Sequence, residues 1–356
     1  MNVRVLVVTA TAVTLTLGAV LIGGIPLLLA LAAAIALGAV ALPTGPRRYL
    51  LRRTTRVVAT IFIAMALVWL LVHNFPDASR QDETGLVPAM QRYAEWLASL
   101  VRGEFGDSSY SETVGRGIGR TIPPSAQLVI YSQTLALAVA VPGALVGARL
   151  RGRRGDLAFR TLGLFGLSTP VFVVGPLLVF AFSIGELRLF GHDFGWSVLP
   201  AGRYVPIGSG IVAHLRSMVL PTITMTFSTI AVYLVLLRSE MLQQLKLDHV
   251  MLARSKGLSP RRIVRVHALR PAAPSVVAAI AAQIGAVLSS TVIVEHLFSM
   301  PGFGDYVLVA IGRRDVLAVA GALFVIAAIL AVINLFADAL LLVVDPRIEQ
   351  AVTAAA

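Results

Sequence analysis

The chain contains no cysteine, which excludes disulfides, thiolate nucleophiles and cysteine-ligated zinc or iron–sulfur centres. Lysine is almost as scarce: Lys246 and Lys256 are the only two among 30 basic residues, and neither follows a glycine. A Walker A loop ends in Gly-Lys-Ser/Thr, so the chain has no P-loop with which to hold ATP. Charge is sparse as well, at 13% of 356 residues against 57% hydrophobic, with a mean hydropathy of +0.84. Soluble domains carry about 25% charged residues, and the shortfall excludes a soluble globular protein. The six histidines, at 73, 192, 214, 249, 267 and 296, form no His-x-x-x-His pair, and no Gly-x-Ser-x-Gly stretch occurs. Intramembrane zinc or serine proteolysis therefore lacks its parts, and neither a metal site nor a catalytic residue is expected.

What the chain has is long apolar runs. Crossing a hydrocarbon core takes about 20 helical residues, and eight runs qualify, at roughly 5–23, 25–43, 57–75, 126–148, 158–184, 219–237, 272–294 and 317–344. The expected fold is all-α, a polytopic transmembrane helix bundle. Gly23, Gly24, Ile25 and Pro26 suit a tight turn between the first two spans. Ala30, Ala34 and Gly38 form a small-residue stripe that permits close packing but is common in any alanine-rich span. Arg4 before an apolar run also fits a secretory signal, but the run is long and a second span follows at once, so cleavage is not expected.

The net charge of +12 needs locating before it is read as a nucleic-acid signal. Positively charged loops stay cytoplasmic. With the N-terminus inside, the inner segments hold 20 basic and five acidic residues, and the outer loops ten basic and eleven acidic, with Glu295 and Asp338 in the spans. The balance is +15 inside, −1 outside and −2 within the spans. Both termini are expected in the cytoplasm, and the basic face meets anionic membrane lipid without any need for nucleic acid.

Three loops are long enough to carry function, 76–125 and 185–218 outside and 238–271 inside. In the first, Met90, Tyr93, Leu97, Leu100 and Val101 recur at helical spacing with Arg92, Glu95 and Arg102 between them. This amphipathic helix either lies on the bilayer to receive an external partner or caps the bundle. In the inner loop, Gly257 can end one helix, Ser259 can cap the next and Pro260 fits its first turn. The spacing predicts two short helices meeting at a fixed elbow. Ile263, Val266 and Leu269 are expected to share a docking stripe, with Arg261, Arg262, Arg265 and His267 covering the rest. Such a basic knob suits an acidic cleft on a cytoplasmic protein.

At this elbow the chain resembles the permease subunits of type I ABC importers, closest to the dipeptide/oligopeptide/nickel branch. The matching stretches are Arg238 to Leu242, Ala253 to Leu258 and His267 to Arg270. Further matches are Gly195-Trp196, Leu199-Pro200-Ala201-Gly202, Leu220-Pro221, Glu295 to Gly304, Arg314-Asp315, Asn334, Asp338 and Asp345-Pro346-Arg347. The glutamate of the general EAA motif is absent, since the aligned stretch is Met251-Leu252-Ala253, and Arg270-Pro271 replaces the usual residue at the loop end. The resemblance runs from about Arg47 to Glu349 and implies a six-helix core plus two extra N-terminal helices. The implied domains are a hairpin at 1–46, the first core helix with the external loop at 47–125, the importer core at 126–349 and a tail at 350–356.

The resemblance also implies partners: a second, homologous permease, two ATPase subunits that bind ATP and Mg, and an extracytoplasmic substrate-binding protein. On that view this chain binds no cofactor. Asp248, Ala253, Arg254, Lys256, Gly257, Leu258, Arg261, Arg265 and His267 then lie at the ATPase contact. The implied location is the inner membrane of a bacterium and the implied cargo a peptide, although nickel and glutathione systems share these motifs. The rival reading from another class, a self-contained channel or secondary transporter, does not need the 238–270 knob, and no internal repeat supports it.

Ionisable residues in a membrane default to functional candidates. Glu295 either lines an outer mouth or anchors the turn that follows. Asn334 and Asp338, four apart on one helical face, are expected to be structural polar residues, with Asp345 beyond them. Ser168-Thr169-Pro170 and Pro176 predict a kinked fifth span, and with Gln283, Ser289, Ser290 and Thr291 they are the candidates for lining the translocation path.

Overall fold

The computed structural model describes residues 113–152, 154–184, 188–189, 192–193 and 199–344, with 63, 65–66, 91, 93–96, 98–99, 102 and 104–106. The spans expected at 5–23 and 25–43, most of 57–75, Asp345, the tail and the side chain of Asp338 lie outside the described residues. The described positions between 91 and 99 are helical, as the amphipathic spacing there predicts.

Among the described residues from 113 on, eight helices follow in order: α1 (Val114–Arg149), α2 (Arg154–Ser168), α3 (Val171–Val179), α4 (Ile211–Gln244), α5 (Asp248–Ser255), α6 (Pro260–Leu297), α7 (Phe303–Gly312) and α8 (Val316–Val344). Between α3 and α4 lies a two-stranded antiparallel ribbon that pairs Arg188 with Asp193 and Leu189 with His192. Among the described residues, four helices, α1, α4, α6 and α8, are long and apolar enough to cross a membrane, and α2 with α3 makes a fifth span if the two count as one.

The kink expected in the fifth span is a break. α2 and α3 meet at 97°. Thr169 precedes Pro170, which disfavours helical backbone at that position, and Pro170 is extended with φ −67° and ψ 142°. Pro176 does not break α3, which continues through it into a π turn at Phe180–Ile184.

Residues 124–304 form one compact unit, and 305–342 with the described residues before Pro124 belong to a second. In the first, α4 packs against α2, α3 and α6. On α1, Ala136, Ala140, Ala144 and Ala148 are buried at spacing four, a small-residue stripe that admits close neighbours. Three threonines of α4, Thr224, Thr226 and Thr229, donate to carbonyls four residues back, at 2.8, 2.5 and 3.2 Å. Their hydroxyls are thus satisfied without water. In the second unit, Gly117 abuts the Tyr306 ring, and Gly321 abuts Phe105 and Val114.

Three helix ends close with the same hydrogen-bond device. After α5, Leu258 N–H donates to Ala253 and Gly257 N–H to Arg254. After α6 the donors are Met300 and Ser299, and after α7 they are Asp315 and Arg314. The residue turned left-handed is Gly257, Ser299 or Arg314, with φ of +71°, +49° and +56°. This is the Schellman arrangement, which occupies carbonyls that a helix end leaves open.

Candidate functional site

The elbow within 238–271 is built from its turn outward. The Gly257 turn reverses the chain after α5, and Leu258 folds back with Leu245 against a small core of Val250, Ala253 and Ile263. That contact is the hydrophobic clasp that accompanies a Schellman end. Pro260 occupies the first turn of α6. Ser259 does not cap that helix through its side chain. Its carbonyl instead accepts the N–H groups of Arg262 and Ile263, at 2.9 and 3.0 Å, and the proline removes one of the donors a cap would serve.

The expected docking stripe needs correcting. Ile263 and Leu269 are buried, as are Val264 and Ala268, but Val266 is exposed. The cause is the winding: Ile263–Ala268 is a π segment, whose hydrogen bonds step five residues where an α-helix steps four. Positions 263 and 268, and 264 and 269, therefore share the inward face.

The outward face of the elbow is mixed. Leu247, Met251 and Leu252 are exposed, the last two at 67% and 58%. Asp248, Arg254, Lys256, Arg261 and Arg265 are exposed around them, and His267 is half-buried. His249 Nε2 lies 3.1 Å from the His267 carbonyl, tying α5 to the π segment. An apolar patch ringed by cations on a rigid turn is a surface suited to a protein partner.

At the other end of α6 the structure gathers motifs that are far apart in the chain. Glu295 is fully buried. Ser125 Oγ of α1 donates to its Oε1 at 2.5 Å and Gly304 N–H donates to its Oε2 at 2.7 Å. Ser125 Oγ in turn accepts the Phe303 N–H at 2.7 Å. A carboxylate therefore fastens α1, the end of α6 and the start of α7 together, and of the two roles open to Glu295 this geometry supports the anchor. The loop Leu199–Gly202 backs onto the same turn, where a Cβ on Gly202 would lie 3.0 Å from the Phe298 carbonyl. That loop is held by Tyr204 O–H donating to Gln127 at 2.8 Å. His214 Nδ1 lies 2.6 Å from the Val205 carbonyl and its Nε2 lies 3.1 Å from the Tyr131 hydroxyl. A carbonyl only accepts, so Nδ1 carries a proton; in the neutral imidazole Nε2 then accepts from Tyr131.

Ser299 holds a left-handed conformation that costs a non-glycine residue about 1 kcal/mol. Ser299→Gly is expected to raise the thermal midpoint of the detergent-purified protein without altering its transport. A lowered midpoint would show that the Ser299 side chain contributes more than its backbone costs.

The path candidates lie on two parts of the chain, the α2–α3 span and α6. Ser168 and Pro170 are exposed and Thr169 half-buried at the break, Gln283 and Ser290 are half-buried, and Ser289 is exposed. Ser289 and Ser290 donate to Gly285 and Ala286 within their own helix, and buried Thr291 donates to Leu288. Asn334 is half-buried on α8.

The family model of the binding-protein-dependent transport system inner membrane component matches residues 140–350. The chain belongs to that family. Among relatives, a probable peptide ABC transporter permease of Sinorhizobium fredii is 28% identical over 319 residues, covering 85% of this chain and 99% of the relative. The di/tripeptide transport system permease DppB of Pseudomonas aeruginosa is 32% identical over 274 residues, covering 74% and 82%. The resemblance drawn from the motifs, to type I ABC importer permeases of the peptide branch, therefore holds. The chain is a multi-pass inner-membrane transport subunit.

Three features of this permease escape sequence reasoning. Ser125 partners Glu295 across 170 positions, with nothing local to signal it. Asp315 is buried and caps α8 through the Ala318 N–H at 3.1 Å, a role its place before an apolar run foreshadows. Asp156 pairs with Arg238, and the available signal was a lone acid within the basic stretch 149–160.

Proposed function

We propose that the chain is the membrane-spanning subunit of an ATP-driven importer for di- or oligopeptides, forming half of the translocation pathway beside a second, homologous permease. Two ATPase subunits bind ATP and Mg on the cytoplasmic side, and a substrate-binding protein delivers cargo from outside. Both termini face the cytoplasm, in keeping with the +15 charge balance of the inner segments. The observation that carries the reading is the elbow: exposed Leu247, Met251 and Leu252 ringed by cations on a turn fixed by Gly257. A chain without a nucleotide loop needs such a rigid handle to receive motion from an ATPase. Differential contacts of the handle in two states then bias an inward–outward switch. The relatives named for peptide transport support the cargo class.

The test is purification in detergent followed by reconstitution. Two ATPase chains and a second permease are expected to co-purify, and a dipeptide or oligopeptide loaded on the binding protein is expected to stimulate ATP hydrolysis. Nickel or glutathione in that role would redirect the cargo assignment. A chain that purifies alone and transports without ATP would sink the importer reading.

A further inference from the structure

The inner ends of α1, α2 and α4 converge on Asp156. Its Oδ1 accepts from the Arg238 guanidinium in an ion pair, and its Oδ2 accepts from Arg160 at 3.0 Å and from the Gly152 N–H at 3.4 Å. Arg238 also donates through Nε to the Gly147 carbonyl at 3.3 Å. The two side chains of the pair are 10% and 13% exposed, so solvent screens them far less than a surface pair.

From that point α2 runs antiparallel to α4 in close contact. A Cβ on Gly163 would lie 2.8 Å from Val235 Cγ2, and one on Gly166 would lie 2.7 Å from Ala231 Cβ. At the break itself, Ser228 Oγ donates to the Thr169 carbonyl at 3.2 Å. The links 156–238, 163–235, 166–231 and 169–228 fasten α2 to α4 along its length. α4 ends at Gln244 and α5 begins at Asp248, so the helix that carries α2 also carries the elbow.

We propose that α2 and the inner half of α4 move as one lever, and that Asp156 and Arg238 are the positioning residues that pass elbow displacement to the broken α2–α3 span. The inference rests on the coupling role given to the elbow above. Coupling between distant sites travels through packed rigid elements with two discrete arrangements; the glycine-mediated contact makes α2 and α4 one packed element, and its two arrangements are those of the inward–outward switch proposed above. Without the staple, α4 can shift while the inner end of α2 lags. Hydrolysis then continues with less transport.

The complete complex in proteoliposomes tests this by uptake per ATP hydrolysed. Asp156→Asn keeps the shape and removes the charge, and is expected to lower that ratio about five- to tenfold with hydrolysis maintained. Arg238→Gln should do the same, while Arg238→Lys, which retains the charge, recovers most of the ratio. An unchanged ratio in Asp156→Asn, or uptake and hydrolysis falling together, would overturn the proposal. The second arm uses the absence of native cysteine. Val235 Cγ2 marks where a sulfur at 235 would sit, so Gly163→Cys with Val235→Cys should form a disulfide on oxidation and leave uptake intact. A pair that does not bond, or a bond that stops uptake until reduced, contradicts a single lever. A wild-type complex in which substrate fails to stimulate hydrolysis is a different outcome, since it strikes the importer reading and not the staple alone.

Discussion

Gly257→Pro is expected to abolish uptake while leaving membrane insertion intact. Gly257 has φ +71°, which proline cannot adopt, and its N–H donates to the Arg254 carbonyl at 2.9 Å, which proline cannot do. Proline with a lost hydrogen bond and a forbidden φ costs about 3 kcal/mol or more, enough to unmake a turn held by two hydrogen bonds and a small apolar clasp. The spans are separate hydrogen-bonded helices, so the damage stays in the loop. A Cβ at 257 would meet nothing within 4 Å, so the side chain itself is free. That gives a graded series. Gly257→Asn should stay near wild type, because asparagine tolerates left-handed backbone, and Gly257→Ala should cost about 1–2 kcal/mol of turn stability. Uptake and substrate-stimulated ATP hydrolysis, normalised to permease in the membrane, read the series. Normal coupling in Gly257→Pro would remove the elbow from the mechanism.

Gly304→Ala is expected to be strongly damaging despite its small size, at the end of α6 opposite the elbow. A Cβ there would lie 2.6 Å from Val292 Cα and 2.9 Å from Val292 N, both backbone atoms of α6 that no rotamer change can move. Overpacking of this kind costs about 1–3 kcal/mol. The strain falls on the N–H that donates to Glu295, which is itself 2.9 Å from the added carbon. Glu295→Ala probes the same anchor from the other side. It deprives Ser125 and the Gly304 N–H of their shared acceptor inside the protein, at about 1–3 kcal/mol for each unsatisfied group. Glu295→Gln retains the shape but turns a donor toward one of these two donors. Melting of the detergent-purified protein is expected to fall in all three, with Glu295→Gln affected less than Glu295→Ala. If Glu295 lined a mouth, Glu295→Ala would instead melt like wild type and change transport alone.

The elbow was legible from sequence because its determinants are local. Gly257, Ser259 and Pro260 sit within four residues, and a helix end obeys short-range rules. Where the expectation failed there, at Val266 and at the Ser259 side chain, it failed because a π segment changed the period and the proline changed which donors needed a cap. The break at Ser168–Pro170 was visible as a defect, but its 97° angle was not, nor was the Ser228 hydroxyl of α4, 59 positions away, that donates to the Thr169 carbonyl. Glu295 could be singled out as a costly charge in an apolar span, yet its role required Ser125 from another helix.

Composition, charge and the order of motifs determined that this chain crosses a membrane many times, lacks a P-loop and belongs with importer permeases, because hydrocarbon thickness and loop charge act on local sequence. Only the tertiary structure decided which polar groups are anchors, how α2 and α4 are joined, and that Asp156 meets Arg238. Those contacts between helices join residues 59 or more positions apart, and no periodicity along one chain reports which faces of two helices will touch.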